Sequence, residues 1–67
     1  MTIAKVTEIS AESPESFDHA IKSGLARASK TLDGIRGAWV NEQKVIVEDG
    51  EVKGYRVDMK VTFVLNE

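Results

Sequence analysis

Val47–Leu65 reads VEDGEVKGYRVDMKVTFVL, and two signals in it decide the fold. Asp49-Gly50 is the pair that a two-residue type I′ hairpin turn prefers, because both central positions need positive φ. Beyond the turn, Tyr55, Val57, Met59, Val61, Phe63 and Leu65 alternate with Arg56, Asp58, Lys60 and Thr62. That is the period of a strand with one apolar face and one polar face. Arg36 to Val64 is therefore expected to form two antiparallel strands.

The turn also sets a register. With Glu48 opposite Glu51, Val40 falls opposite Met59, Ala38 opposite Val61 and Glu42 opposite Val57. Trp39 falls opposite Lys60, Asn41 opposite Asp58, and Gln43 opposite Arg56. Directly opposed residues share a face. Ala38 and Val40 thus join the apolar face, while Gly37, Trp39, Asn41 and Gln43 join Arg56, Asp58, Lys60 and Thr62. A β-bulge would reverse this assignment beyond the point of insertion.

Upstream, Thr2–Ser10 (TIAKVTEIS) is rich in β-branched residues and reads as a strand. A helix follows. Ser13 before Pro14 is a start signal, since serine caps free N–H groups and proline at the first helical position sacrifices no hydrogen bond. Glu15 complements the positive end of the dipole. Phe17, Ile21, Gly24, Leu25, Ala28 and Leu32 recur every three or four residues as one apolar stripe. Asp18 and Lys22 are spaced as an i,i+4 pair on the wet side. Gly34 suits the left-handed conformation that ends a helix. Gly24 weakens helix propensity, so a close approach of the sheet or a neighbour is expected there. The order is β-α-β-β, an α+β class with one helix to cover one face of a three-stranded antiparallel sheet.

The 67 residues are expected to form a single domain, residues 1–67. So short a chain buries only about 60% of the surface its unfolded form exposes, and without disulfides or metals small folds draw stability from oligomerisation. There is no cysteine, which excludes a disulfide framework or a cysteine metal site. A net charge of −2 and a pI near 5.3 argue against nucleic acid or an anionic membrane as partner. No signal peptide or membrane-spanning run is visible, so the cytoplasm is the expected location.

Trp39, the one tryptophan, therefore sits on the polar face of a sheet with two open edges. It is either an anchor in a subunit interface, where tryptophan is enriched, or a stacking platform for a flat aromatic ligand.

Over nearly its whole length the chain resembles the dodecins. The resemblance is carried by SPESFDHAIKSGLARASKTLDGIRGAWVNEQ (Ser13–Gln43) followed by YRVDMKVTFVL (Tyr55–Leu65), above all AIKSGLARASKTL, AWVNEQ and the last strand in this order and spacing. The resemblance implies a β-α-β-β subunit whose sheet wraps around its helix, and a homododecameric hollow shell. It also implies a role in binding, storing and photoprotecting flavin (riboflavin, FMN or FAD) without catalysis. In flavin-binding dodecins, ring pairs near two-fold axes stack between tryptophans, and a glutamine of the last strand bonds the ring edge. The stacking tryptophan aligns with Gly37 and the glutamine with Arg56. Trp39 lies two residues further along, on the same face but shifted by about 7 Å. Arg56 can donate to carbonyl oxygens or phosphate but offers no acceptor for a ring N–H. The flavin-site residues this implies are Gly37, Trp39, Gln43 and Arg56. Two outcomes stay open: a ring in a shifted pose against Trp39, or a shell whose two-fold contacts Trp39 fills without flavin, with another ligand or a cation as cargo.

His19 lies off the apolar stripe and reads as a solvated surface histidine. Glu48, Asp49 and Glu51 cluster at the hairpin tip, where a charged turn is the simpler reading than a Ca²⁺ site. Arg27 and Lys30 suit the helix C-terminus.

Overall fold

A computed structural model describes residues 3–65; Thr2, the expected start of the first strand, lies outside them. The elements are β1 (Ala4–Ser13), α1 (Phe17–Ala28), β2 (Ile35–Glu48) and β3 (Glu51–Val64). They form one three-stranded antiparallel sheet, as the β-α-β-β reading expects, and β3 takes its centre in the order β1-β3-β2. Asp49 and Gly50 take φ of 51° and 77° at the hairpin turn, the left-handed pair that a type I′ turn requires.

The alternation of β3 becomes the core. Val57, Met59 and Val61 are fully buried together with Ala20 of the helix. Ile9, Ala11, Phe17, Ile21, Leu25 and Ile35 pack around them, and Phe17 meets Tyr55 edge-on with centroids 5.1 Å apart. Gly24 is where helix and sheet approach most closely. A Cβ there would lie 2.7 Å from the Cβ of Ala11 and 3.3 Å from the Met59 terminal methyl.

The helix is shorter than its apolar stripe suggests. Its N-cap is Ser16, whose hydroxyl accepts the His19 amide at 2.9 Å. Ser13 instead ends β1 opposite Tyr55. The chain leaves the helix at Ser29 through tighter turns, Lys30 N–H donating to Arg27 O and Thr31 N–H to Ala28 O, so Leu32 lies beyond α1. Gly34 takes the expected positive φ, 74°, and its carbonyl accepts the Val64 amide. The i,i+4 side-chain contact at the helix start joins Glu15 to His19, 3.0 Å apart, rather than Asp18 to Lys22.

The expected β2–β3 register holds at the turn and again from Gly37 to Val40, where Ala38 pairs with Val61, Trp39 with Lys60 and Val40 with Met59. Between these stretches it is offset. Lys53 bulges out of β3, moving Ile46 opposite Gly54, and Asn41 bulges out of β2, restoring the frame. One insertion on each strand cancels the other. Within the offset, Glu42 pairs with Asp58, Gln43 with Val57 and Lys44 with Arg56. This corrects three expected pairs: Gln43 is opposite Val57 rather than Arg56, Glu42 joins Asp58 on the outer face, and Asn41 has no partner.

One helix cannot cover three strands. α1 packs on β1 and β3 and makes no comparable contact with β2, of whose residues only Ile35 and Ile46 are even partly buried. The chain spans 51 × 20 × 14 Å with a radius of gyration of 13.8 Å, against about 11 Å for a compact chain of this length. It exposes 4955 Å², where a monomer of its mass is expected to expose about 4,200 Å².

Gly24→Ala tests the packing. Alanine favours the helix by about 1 kcal/mol, but overpacking against Ala11 and Met59 costs about 1–3 kcal/mol. A lowered melting temperature is expected, and a raised one would show that the helix can move away from β1 freely.

Candidate functional site

The face of the sheet turned away from α1 is built in rows, because antiparallel pairing sets residues of three strands side by side. From one end these are Val6–Thr62–Gly37, Glu8–Lys60–Trp39, Ser10–Asp58–Glu42 and Glu12–Arg56–Lys44, followed by Gly54 and Ile46. Gly37, Trp39 and Arg56 all lie on this face, as the sequence predicts. Gln43 pairs on the opposite side, with Val57, yet it still borders a hollow of about 40 Å³ shared with Glu42, Lys44, Arg56 and Asp58. A ring-sized ligand needs a pocket of roughly 300 Å³ or more, so that hollow alone holds no ring.

Trp39 is 60% exposed. Gly37 leaves a shelf beside it: a Cβ at Gly37 would find only Thr62 Oγ1 within 4 Å, at 3.6 Å. Thr62 donates its hydroxyl to the Gly37 carbonyl at 3.1 Å, which pins the strand there. Arg56 is not a free donor. Its Nε and Nη2 both reach Oε1 of Glu12, at 3.1 and 2.9 Å, which leaves three of five N–H groups for anything else. Ser10 donates to Asp58 Oδ1 at 2.8 Å. Sequence reasoning missed Glu12 because it ended the first strand at Ser10, and missed the role of Ser10 because it set no register between that strand and the last one. The continued pairing of Glu12 and Ser13 with Arg56 and Tyr55 is what places them.

A second groove, of about 340 Å³, runs between β1 and α1 past Ile9, Ala11, Gly24 and Ala28, with Arg27 on its wall. None of the predicted site residues lines it.

His19 is a half-exposed surface histidine, as expected, and it closes a small network. Its Nδ1 lies 2.7 Å from Ser13 Oγ and its Nε2 3.0 Å from Glu15 Oε2. With the ring neutral and protonated on Nε2, every group is satisfied: Ser13 donates to Nδ1, Nε2–H donates to Glu15, and Ser13 Oγ accepts the Glu15 amide at 2.9 Å. The serine, histidine and carboxylate look like a nucleophile set in kind. The hydroxyl, however, belongs to a residue only 1% exposed, and beside its bond to His19 it also accepts the Glu15 amide. The network clasps the β1–α1 turn.

Among the described residues no three His, Asp or Glu side chains converge to hold a metal ion, and no helix is long and apolar enough to cross a membrane.

The family model for Dodecin matches residues 3–66. This chain belongs to the dodecin family. It is similar to the dodecin of Streptomyces davaonensis, with 39% identity, a TM-score of 0.93, and coverage of 98% of this chain and 97% of that one. A dodecin of Thermus thermophilus superposes with a TM-score of 0.93 at 34% identity over the full length of both. The calcium dodecin of Mycobacterium tuberculosis is 35% identical over 63 residues, 94% of this chain and 89% of its own. Its crystal structure, described as having a novel calcium-binding site, matches with a TM-score of 0.82 over 96% of this chain and 91% of that one. The likeness to dodecins thus spans the rows on the outer face as well as the core.

Trp39 is the only tryptophan and so reports on this face. At micromolar concentration its emission is expected to be blue-shifted and poorly quenched by acrylamide, relative to a denatured sample. Emission and quenching typical of a free indole would show that nothing covers the face.

Proposed function

We propose that this dodecin is a non-catalytic protein that assembles twelve copies into a hollow shell, in which protein contacts around Trp39 fill the two-fold positions where flavin-binding dodecins stack a ring. The observation that carries this reading is the state of the outer face. The stacking position is Gly37, which has no ring, and the ring-edge position is Arg56, already held by two hydrogen bonds to Glu12. The large aromatic lies two residues away and is exposed in the single chain. Self-assembly is supported by the uncovered β2, the extended shape and the likeness to other dodecins. The absence of catalysis is supported by the burial of Ser13 in the one cluster with nucleophile chemistry.

Flavin storage is a second reading, favoured by the open shelf at Gly37. A flat ring lying there would meet Trp39 one row along, while Arg56 lies three rows, about 20 Å, away along the strands, so the ring's carbonyl oxygens would have to be met by the Arg56 of another copy. A cation cargo is the third, favoured by the name of the calcium dodecin. Oxygen ligands suit calcium, and they would have to be gathered from several copies.

Light scattering should give a particle near twelve times 7.4 kDa; a stable folded monomer would remove the shell reading. Riboflavin titrated into it should keep most of its fluorescence. Gly37→Trp combined with Arg56→Gln should then rebuild the stack and the ring-edge bonds. Each is worth on the order of 1 kcal/mol, so affinity should rise at least about tenfold. Strong quenching by the wild type, lost in Trp39→Ala, would favour the flavin reading instead.

A further inference from the structure

We propose that the groove between β1 and α1 receives an extended peptide segment, which adds a strand to the free edge of β1 and sets an acidic group against Arg27.

β1 is an edge strand: in the order β1-β3-β2 no described strand pairs on its far side. Which backbone groups it leaves free follows from one bond. Leu65 N–H donates to the Ile3 carbonyl at 2.9 Å, and the β1–β3 register then runs unbroken from Ala4 to Ser13. In an antiparallel ladder the two residues of a hydrogen-bonded pair turn both backbone groups towards each other, and their neighbours turn both away. Ile3 and every second residue after it therefore face β3. Ser10 and Glu12 turn N–H and C=O outward, one two-residue repeat apart, about 7 Å.

These two residues line the groove. Their side chains are engaged elsewhere, with Asp58 and Arg56 on the outer face, so what they bring to the rim is backbone. The floor is apolar. Ile9 and Ala11 stand opposite Met59 and Val57 on the helix side, yet both stay only partly buried. On the wall, Gly24 and Ala28 carry little or no side chain, and the space left open is about 340 Å³.

A strand added to this edge puts the residues opposite Ile9 and Ala11 on the helix side, with their side chains in that space. The residues between them exchange hydrogen bonds with Ser10 and Glu12. Both demands repeat every two residues, which is the period of an extended chain. The edge thus supplies the bonds and the groove selects alternate side chains. Arg27 adds a charge requirement. It stands exposed on the wall, and the acid–base contacts among the described residues use His19, Lys53 and Arg56 and leave it unpaired. A carboxylate on the segment gives it a partner. The β1 strand of a second copy fits less well, because antiparallel pairing centred on Ser10 sets Glu8 of each copy opposite Glu12 of the other, and opposed like charges destabilise a sheet.

The probe is a dye-labelled peptide that alternates threonine with valine and ends in glutamate, titrated into the assembled protein and followed by fluorescence anisotropy. Saturable binding is expected, with slowed hydrogen exchange at the Ser10 and Glu12 amides. With valine in the groove, the threonine amides face β1. Methylating those nitrogens should weaken binding at least about tenfold, while methylating the valine nitrogens should leave it largely intact. Ser10→Pro removes one outward N–H without removing a β1–β3 bond, a change that edge strands tolerate, and should also weaken binding. Arg27→Gln should weaken it by about threefold at low salt and hardly at all at high salt, with Arg27→Lys recovering most of the loss. No binding by the wild type, or equal effects of the two methylation patterns, would overturn the proposal. Ser10 and Glu12 amides already protected in the peptide-free assembly would overturn it too, by showing that another copy holds the edge. None of these results bears on what fills the face around Trp39.

Discussion

A twelve-residue helix has to serve a sheet whose longer strands have fourteen. It covers β1 and β3 and leaves β2 largely bare, with only Ile35 and Ile46 partly buried. Everything distinctive about the molecule follows from that shortfall. The core is confined to the inner face of β3, with Val57, Met59 and Val61 at its centre. Val40 and Val45 pair with core-face residues of β3 yet stay 44% and 40% exposed, because no helix lies above them.

The outer face answers to the same constraint, since nothing within the chain packs on it. Its rows of charge and its single indole are arranged by β-pairing, and the paired bulges at Lys53 and Asn41 decide which residues enter each row. Without them Gln43 would stand beside Arg56, and Glu42 would be turned to the inner side. With them Glu42 meets Asp58 and Lys44 meets Arg56. The contrast between neighbouring rows is thus a product of strand geometry, and it gives the face a sense of direction that an evenly mixed surface would lack.

Much of this was legible in the sequence. The Asp49-Gly50 turn and the alternation of β3 fixed the hairpin and the core, and placed Gly37, Trp39 and Arg56 on one face. Gly24 was legible as a point of close approach. The helix start was not: Ser13 and Ser16 are both good caps three residues apart, and the choice is made by the pairing of Ser13 with Tyr55 and the burial of its hydroxyl. The bulges left no local mark, as none of Arg36, Asn41 and Lys53, which the three register shifts leave unpaired, is a residue whose chemistry demands one. They depend on how the sheet follows the helix, which is a tertiary matter. The Glu12 clamp on Arg56 was hidden for a related reason, since it depends on how far β1 runs.

The central claim is that protein, and not a stacked ring, covers the outer face. A crystal structure of the assembly grown with excess riboflavin tests it most directly. The account predicts copies of this chain packed around Trp39 at the two-fold positions, and no ring between them. A flavin ordered over Gly37, with the two faces held apart by it, would contradict the account.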